Sequence, residues 1–205
     1  MDQLTIPLFP LHTVLFPGGL LPLRVFEVRY LEMIGRAIAD GSQFGVIAIQ
    51  SGSEVRLPDD TPQLAEFGTM AAITSSSAPQ PALLEITCTG GSRFHLLHAE
   101  QQKNGLWMGT VETLADDREV AVPGELHVCA RRLQEAFGML AGDTQESDLP
   151  FAAPVRYGDC GWVANRWCEL LPLALNEKIR LLSLDNPLLR LELVQDLLDE
   201  AGWLH

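Results

Sequence analysis

Two hundred and five residues, 47% of them apolar, can build a substantial core and are too apolar for a disordered chain. A formal net charge of −13, spread almost evenly over residues 1–120 and 121–205, argues against a nucleic-acid surface, which needs Lys and Arg to displace phosphate counterions. No apolar run is long enough for a membrane span, and Asp2 stands where a signal peptide would carry a basic residue, so the expectation is a soluble, cytoplasmic protein.

The chain opens with "TIPLFPLHTVLFPGGLLPLRVFEVRYLEMI", where Pro7, Pro10, Pro17 and Pro22 interrupt an apolar stretch. Each proline lacks a backbone donor, so "LTIPLFPL" is expected at a sheet edge or leaving the ladder at each proline. "FPGG" predicts a tight turn, with Pro presetting φ and Gly supplying positive φ. From Phe26 the period changes. Phe26, Tyr30, Met33, Ile34, Ala37 and Ile38 recur at helical spacing, charged residues fill the other face, and Gly41 is placed to end the helix.

"FGVIAIQ" (44–50) reads as a buried strand and "SGSEVRLPDDTPQ" as polar loop. "EFGTMAAITSSSAP" predicts a strand ending in a Ser-rich turn. "LLEITCT" and "SRFHLLHAEQ" predict two strands separated by Gly90-Gly91. "LWMGTVETL" follows Asn104-Gly105, the pair favoured in type I′ hairpins. Many short strands with turns between them point to a small barrel or sandwich.

Strand signals fade near "DDREVAVPGE". Four helices are expected beyond it. The first places Leu126, Ala130, Leu133, Phe137 and Leu140 on one face, and the polar break "DTQESDLPFAAP" follows it. "DCGWVANRWCELL" carries Trp162, Val163, Trp167, Leu170 and Leu171. "LNEKIRLLSLD" follows, and in "NPLLRLELVQDLLDEAG" Asn186 is placed to cap and Pro187 to open the last helix. The predicted fold class is α+β, with a β part over 1–120 and a helical part over 121–205.

Tests for chemistry return little. The chain has no P-loop, no dinucleotide fingerprint, no nucleophile elbow and no H-E-x-x-H. His95 and His98 would point to opposite faces of a strand, and His12, His127 and His205 are isolated, so no metal or cofactor is expected. Cys88, Cys129, Cys160 and Cys168 show no Cys-x-x-Cys spacing and are expected as free, buried thiols. A Ser–Lys dyad needs a buried lysine. Lys103 precedes a turn and Lys178 lies on the charged side of a helix, so both are expected in water. Asp59-Asp60 and Asp116-Asp117 read as solvated loop acids. No catalytic residue emerges.

The stretch "IPLFPLHTVLFPGGLLPLRVFEVRYLEMIGRAI" (6–38), the strand "FGTMAAI", the "CTGGSRFHL" turn with Gly90 and Arg93, and the closing helices from "WCELLPLALNEKIRLL" onward resemble the N-terminal substrate-binding domain of the ATP-dependent Lon proteases. The resemblance implies a PUA-like pseudo-β-barrel with one crossing helix, followed by a C-terminal helical bundle. It also implies recognition of unfolded or tagged polypeptide. Without a P-loop or a catalytic lysine, the expectation is a free-standing, non-catalytic Lon-type domain whose partner is an apolar-rich polypeptide or another protein. A barrel pocket serving an enzyme or a small ligand is the alternative, and RNA binding is a third that the charge disfavours. The expected site is a shallow apolar groove. One wall is the opening segment, with Phe16, Leu20 and Leu21 partly exposed. The other is the first C-terminal helices, with Trp162 or Trp167 facing it; the favoured reading beside it is that the opening residues simply close the barrel and both indoles belong to the core.

Overall fold

The computed structural model describes residues 3–52, 62–141 and 151–204. Asp59 and Asp60, most of the loop that holds them, the break "DTQESDLP" and His205 lie outside the described residues. The fold is α+β. A mixed six-stranded sheet comprises β1 (Gln3–Leu11), β2 (Leu20–Val25), β3 (Phe44–Ser51), β4 (Gln63–Gln80), β5 (Leu83–Gln101) and β6 (Trp107–Thr113). The helices are α1 (Val28–Asp40), α2 (His127–Ala141), α3 (Cys160–Leu170), α4 (Leu175–Ser183) and α5 (Pro187–Glu200), with a 3-10 turn (Gly124–Leu126) leading into α2.

Strand order is β2-β5-β4-β3-β1-β6, with β6 also pairing back onto β5. The pairing therefore runs through five strands and returns, while β2 stands outside: a partial ring rather than a clean barrel. This arrangement is possible because β5 is long and divides one edge between two partners. Leu84–Thr89 pairs with β2, and Phe94–Gln101 pairs with β6. Gly90 and Gly91 do not separate two strands, as expected from sequence, but lie inside this single strand at a break in its register with β4. The Ser-rich stretch after Ile73 is likewise strand, because it pairs with β5 almost to the tip of their hairpin.

The proline-rich β1 is interior, so of the two alternatives expected, an edge position or a departure from the ladder at each proline, the edge position is not met. Its neighbours are staggered. Gln3–Leu8 pairs antiparallel with β6, and Leu8–Leu11 pairs parallel with β3. Only Leu8 has partners on both sides. Pro7 and Pro10 each have a partner strand on one side alone, so neither must donate to two ladders. The parallel β1–β3 pair requires a crossover, supplied by β2 and α1.

Helix α1 ends as its sequence predicts, with Gly41 at φ 65° and its N–H on the Ala37 carbonyl. It buries Tyr30, Met33, Ile34 and Ala37 against Phe9, Phe44 and Val46. Phe26 precedes the helix and is exposed, and Ile38 turns outward. Between β5 and β6, Gly105 donates to Gln102, so the connection is a three-residue loop with Gly105 at φ 86° and not a two-residue type I′ turn. Helices α2–α5 gather on a second core containing Leu126, Leu133, Phe137, Trp167, Leu191 and Val194. Asn186 caps α5 through the Leu188 and Leu189 amides, and Pro187 occupies the first turn.

Two joints tie sheet to helices. The first is the "FPGG" turn. Gly19 donates to Phe16 and Gly18 has φ 75°, as a type II turn requires. The turn fills the gap on β5 between its β2 and β6 partners: the Gly18 amide donates to Gly90 and the Gly90 amide to Gly19. A Cβ on Gly90 would sit 2.2 Å from the Phe16 carbonyl oxygen, so only glycine admits this approach. The second joint is ionic. Arg93 and Arg190, both buried, share Asp117, with Arg93 Nη2–Asp117 Oδ1 at 3.2 Å and Arg190 Nη1–Asp117 Oδ2 at 2.5 Å. Arg93 also donates to the Leu182 and Leu184 carbonyls. Asp117, expected in water, is 14% exposed.

Two outcomes test these joints. Asp117→Ala leaves two buried guanidiniums without their shared anion and should lower the unfolding free energy by about 3 kcal/mol or more in urea; a loss under about 1 kcal/mol would make the cluster dispensable. Gly90→Ala should destabilise by about 2 kcal/mol or more. Gly91→Ala, whose Cβ would meet nothing nearer than 3.5 Å, should change stability far less.

Candidate functional site

Beside the "FPGG" turn the opening segment and the helices form a groove of about 250 Å³. Val14, Leu15, Leu20 and Leu21 line one side. Phe137 of α2, Phe151, and Glu169 and Leu170 of α3 line the other, with Lys178 of α4. The pairing of Leu20 and Leu21 with Thr89 and Cys88 holds the first wall in the sheet. Phe151 is held by its bridge to Gly19 and by ring contacts with Phe137 at 4.4 Å and Trp162 at 5.3 Å.

Of the five residues expected in such a groove, Leu20 and Leu21 line it. Phe16 is fully buried in the helical core, and Trp162 and Trp167 are core as well. Both indoles were drawn inward by partners: Trp162 packs edge-on to Phe151 and Tyr157, and Trp167 donates its N–H to the Cys129 carbonyl at 3.0 Å. Trp162 therefore stands behind Phe151 and supports the wall without forming it. Phe137, Phe151, Glu169 and Lys178 were not anticipated. One signal was available: Arg166 and Glu169 are the two charged residues of the mostly apolar α3.

The charged end of the groove is partly desolvated. Arg166 has no exposed surface. It donates to Glu169 Oε1 and to the Pro17 carbonyl, both at 2.9 Å, and its Nε and Nη1 are buried without partners. Burial first, and against it the nearby Arg166 and Lys178, sets the Glu169 carboxyl at about 7, well above an ordinary carboxylate. Lys178, expected in water, is half-buried and donates to the Glu169 main-chain carbonyl at 3.4 Å.

A second cleft, about 410 Å³, opens on the other side of the turn and is lined by Arg93, Asp116, Asp117, Glu119, Arg156 and Asp159 among others. Its best-placed polar groups already serve the fold. Arg93 and Asp117 belong to the ionic joint, and Asp159 caps α3 through the Trp162 amide while accepting from Val120. His127 bonds the Val122 carbonyl and His95 stacks on Phe67. Among the described residues no three His, Cys, Asp or Glu side chains converge as metal ligands would.

Residues 5–200 match the family described as the ATP-dependent protease La (LON) substrate-binding domain. The chain belongs to this family. A crystal structure of a Lon N-terminal domain protein from Xanthomonas campestris is similar at 30% identity and a TM-score of 0.75, covering 94% of this chain and 98% of that one. The N-terminal domain of a Mycobacterium avium complex Lon protease shares the fold at 16% identity and a TM-score of 0.61, covering 98% of this chain and 97% of that one.

All four cysteines of this Lon-type domain are free and buried. Burial pushes Cys88 and Cys168 up to about 12 and Cys129 and Cys160 to about 11, which keeps them as unreactive thiols. A thiol reagent should label none of them in the native protein and all four in denaturant without reductant; fewer than four in denaturant would reveal a disulfide.

Proposed function

We propose that the chain is a non-catalytic polypeptide-binding module and that the groove between the opening segment and the C-terminal helices receives a short apolar stretch of an extended or unfolded chain. One observation carries this: apolar side chains from two distant parts of the sequence line the same groove, Leu20 and Leu21 together with Phe137, Phe151 and Leu170. The family's description as a substrate-binding domain supports polypeptide as the partner class. On this reading residues 1–120 supply one wall and residues 121–205 the other.

Neither a nucleic acid nor a membrane suits the site. The chain's −13 charge repels phosphate, and among the described residues no helix is long and apolar enough to cross a bilayer. Four free thiols accord with a reducing cytoplasm. A groove this small must offset the lost freedom of a flexible peptide, so affinity should be on the order of micromolar or weaker.

The experiment is an NMR titration of the full chain with an apolar, unstructured peptide. Shifts should cluster on residues 13–21, 137, 151 and 169–178, and Leu21→Asp should weaken binding about tenfold or more by placing an unpaired charge in the contact. Shifts confined to the second cleft, or unchanged affinity in Leu21→Asp, would sink the groove. ATP-stimulated hydrolysis of an unfolded protein by the purified chain would overturn the non-catalytic reading.

A further inference from the structure

At the charged end of the groove, α3 and α4 bring an acid and a base together without pairing them. Glu169 gives Oε1 to Arg166, while Lys178 donates to the main-chain carbonyl of Glu169 rather than to its carboxylate. Among the described residues only the Oε1 oxygen of Glu169 has a hydrogen-bond partner, Arg166, and the side chain, a quarter exposed, lines the groove. The helical wall at the groove's end therefore offers a carboxyl oxygen and an ammonium close together, next to an apolar trough. A peptide unit carries the complementary pair, an N–H donor and a C=O acceptor, next to a side chain.

We propose that Glu169 and Lys178 read the main chain of the docked segment: Glu169 bonds a peptide N–H, Lys178 donates to a peptide carbonyl, and an adjacent apolar side chain enters between Leu21 and Phe137. This rests on the groove being the polypeptide site. The charges select the occupant. A C-terminal carboxylate drawn to Lys178 also meets the Glu169 carboxyl, and a cationic side chain drawn to Glu169 also meets Lys178 with Arg166 behind it. An uncharged internal stretch meets neither conflict. The site thus recognises extended backbone beside an apolar residue, which an unfolded chain exposes at many places and a folded one conceals.

A dependence on pH follows from the same geometry. Arg166 faces Glu169 from its own helix and Lys178 faces it from α4. Gly19, Leu20 and Leu21 of the opening segment, Phe137 of α2 and Phe151 carry no charge, and Cys168 is a neutral thiol. Covering the groove removes water from Glu169, which favours its protonated form; the one peptide N–H favours the ionised form, and desolvation prevails over it as it already prevails over Arg166 and Lys178 in the free protein. Its carboxyl lies at about 7 in the free protein, so binding takes up a proton and weakens as pH rises through that value. For a further rise of about one unit, affinity should fall about fivefold between pH 6 and pH 8.

The test uses the full chain and a capped ten-residue peptide of Leu, Phe, Ala, Ser and Asn, which has no ionisable group. The wild type should bind about fivefold more weakly at pH 8 than at pH 6, and Glu169→Gln should bind alike at both. The ¹³C carboxyl signal of wild-type Glu169 should titrate with a higher midpoint when peptide is saturating, a readout that needs no variant. Leu21→Asp separates the two ideas. If it leaves binding intact, the groove is wrong and this inference falls with it. If it abolishes binding while wild-type affinity is the same at both pH values and the Glu169 midpoint stays fixed, the groove stands and the main-chain reading by Glu169 is overturned.

Discussion

Asp117 shared between Arg93 and Arg190 is the contact on which the relation of sheet to helices depends. Arg93 belongs to β5, Asp117 to the connection after β6, and Arg190 to α5. Two buried guanidiniums side by side repel each other. Burial first and then Arg190 press Arg93 below its usual pKa, and Asp117 with Asp185 acts the other way. The cluster is tolerable because its donors are consumed. Arg93 reaches two carbonyls and two carboxylates; Arg190 reaches the Leu181 and Leu184 carbonyls and Asn165 as well as Asp117. The carbonyls of Leu181, Leu182 and Leu184 lie at the end of α4, where a helix leaves acceptors unsatisfied. The arginines therefore terminate α4 while they hold it against β5. Apolar side chains could fill such a space, but they could not satisfy those carbonyls.

The prolines of the opening stretch belong to the same economy of backbone groups. A five-strand ring needs β1 between two partners, and a strand with two full ladders has no place for proline. Staggering β3 and β6 along β1 leaves each proline one open side. The "FPGG" turn then uses its freed amides to close the interval on β5 that neither β2 nor β6 reaches. Because Pro17 also accepts from Arg166, the turn is anchored on both sides: to the sheet through Gly90 and to α3 through a buried guanidinium.

Local chemistry was legible wherever a single segment decides it. The α1 stop at Gly41, the Asn186 cap, the "FPGG" turn and the change from strands to helices beyond Thr113 all follow from short-range rules. What was not legible depends on partners distant in sequence. The single strand through Gly90-Gly91 exists because β4, β2 and β6 all pair with it; its two glycines alone read as a break. Asp116-Asp117 looks like any polar turn until Arg93 and Arg190 arrive from either side. The candidate groove shows the same division. Leu20 and Leu21 could be anticipated as half-exposed strand residues after a turn. Phe16 could not be separated from them, since its burial is set by helices that begin more than a hundred residues later.

The two groups of buried charge differ in a way that separates architecture from function. Around Asp117 the charged atoms find partners within the protein, which is the ordinary condition of a structural network. Around Glu169 they do so only in part. Among the described residues Arg166 has two buried nitrogens without a partner, Glu169 bonds through Oε1 alone, and Lys178 settles on a carbonyl while a carboxylate stands nearby. Glu169 is a necessary anion for the buried Arg166, since an apolar replacement would leave that guanidinium without a carboxylate, yet burial opposes the charge it must carry. At the rim of an apolar groove one carboxyl oxygen thus serves the fold through Arg166, and the other is the atom that the proposed main-chain contact would employ.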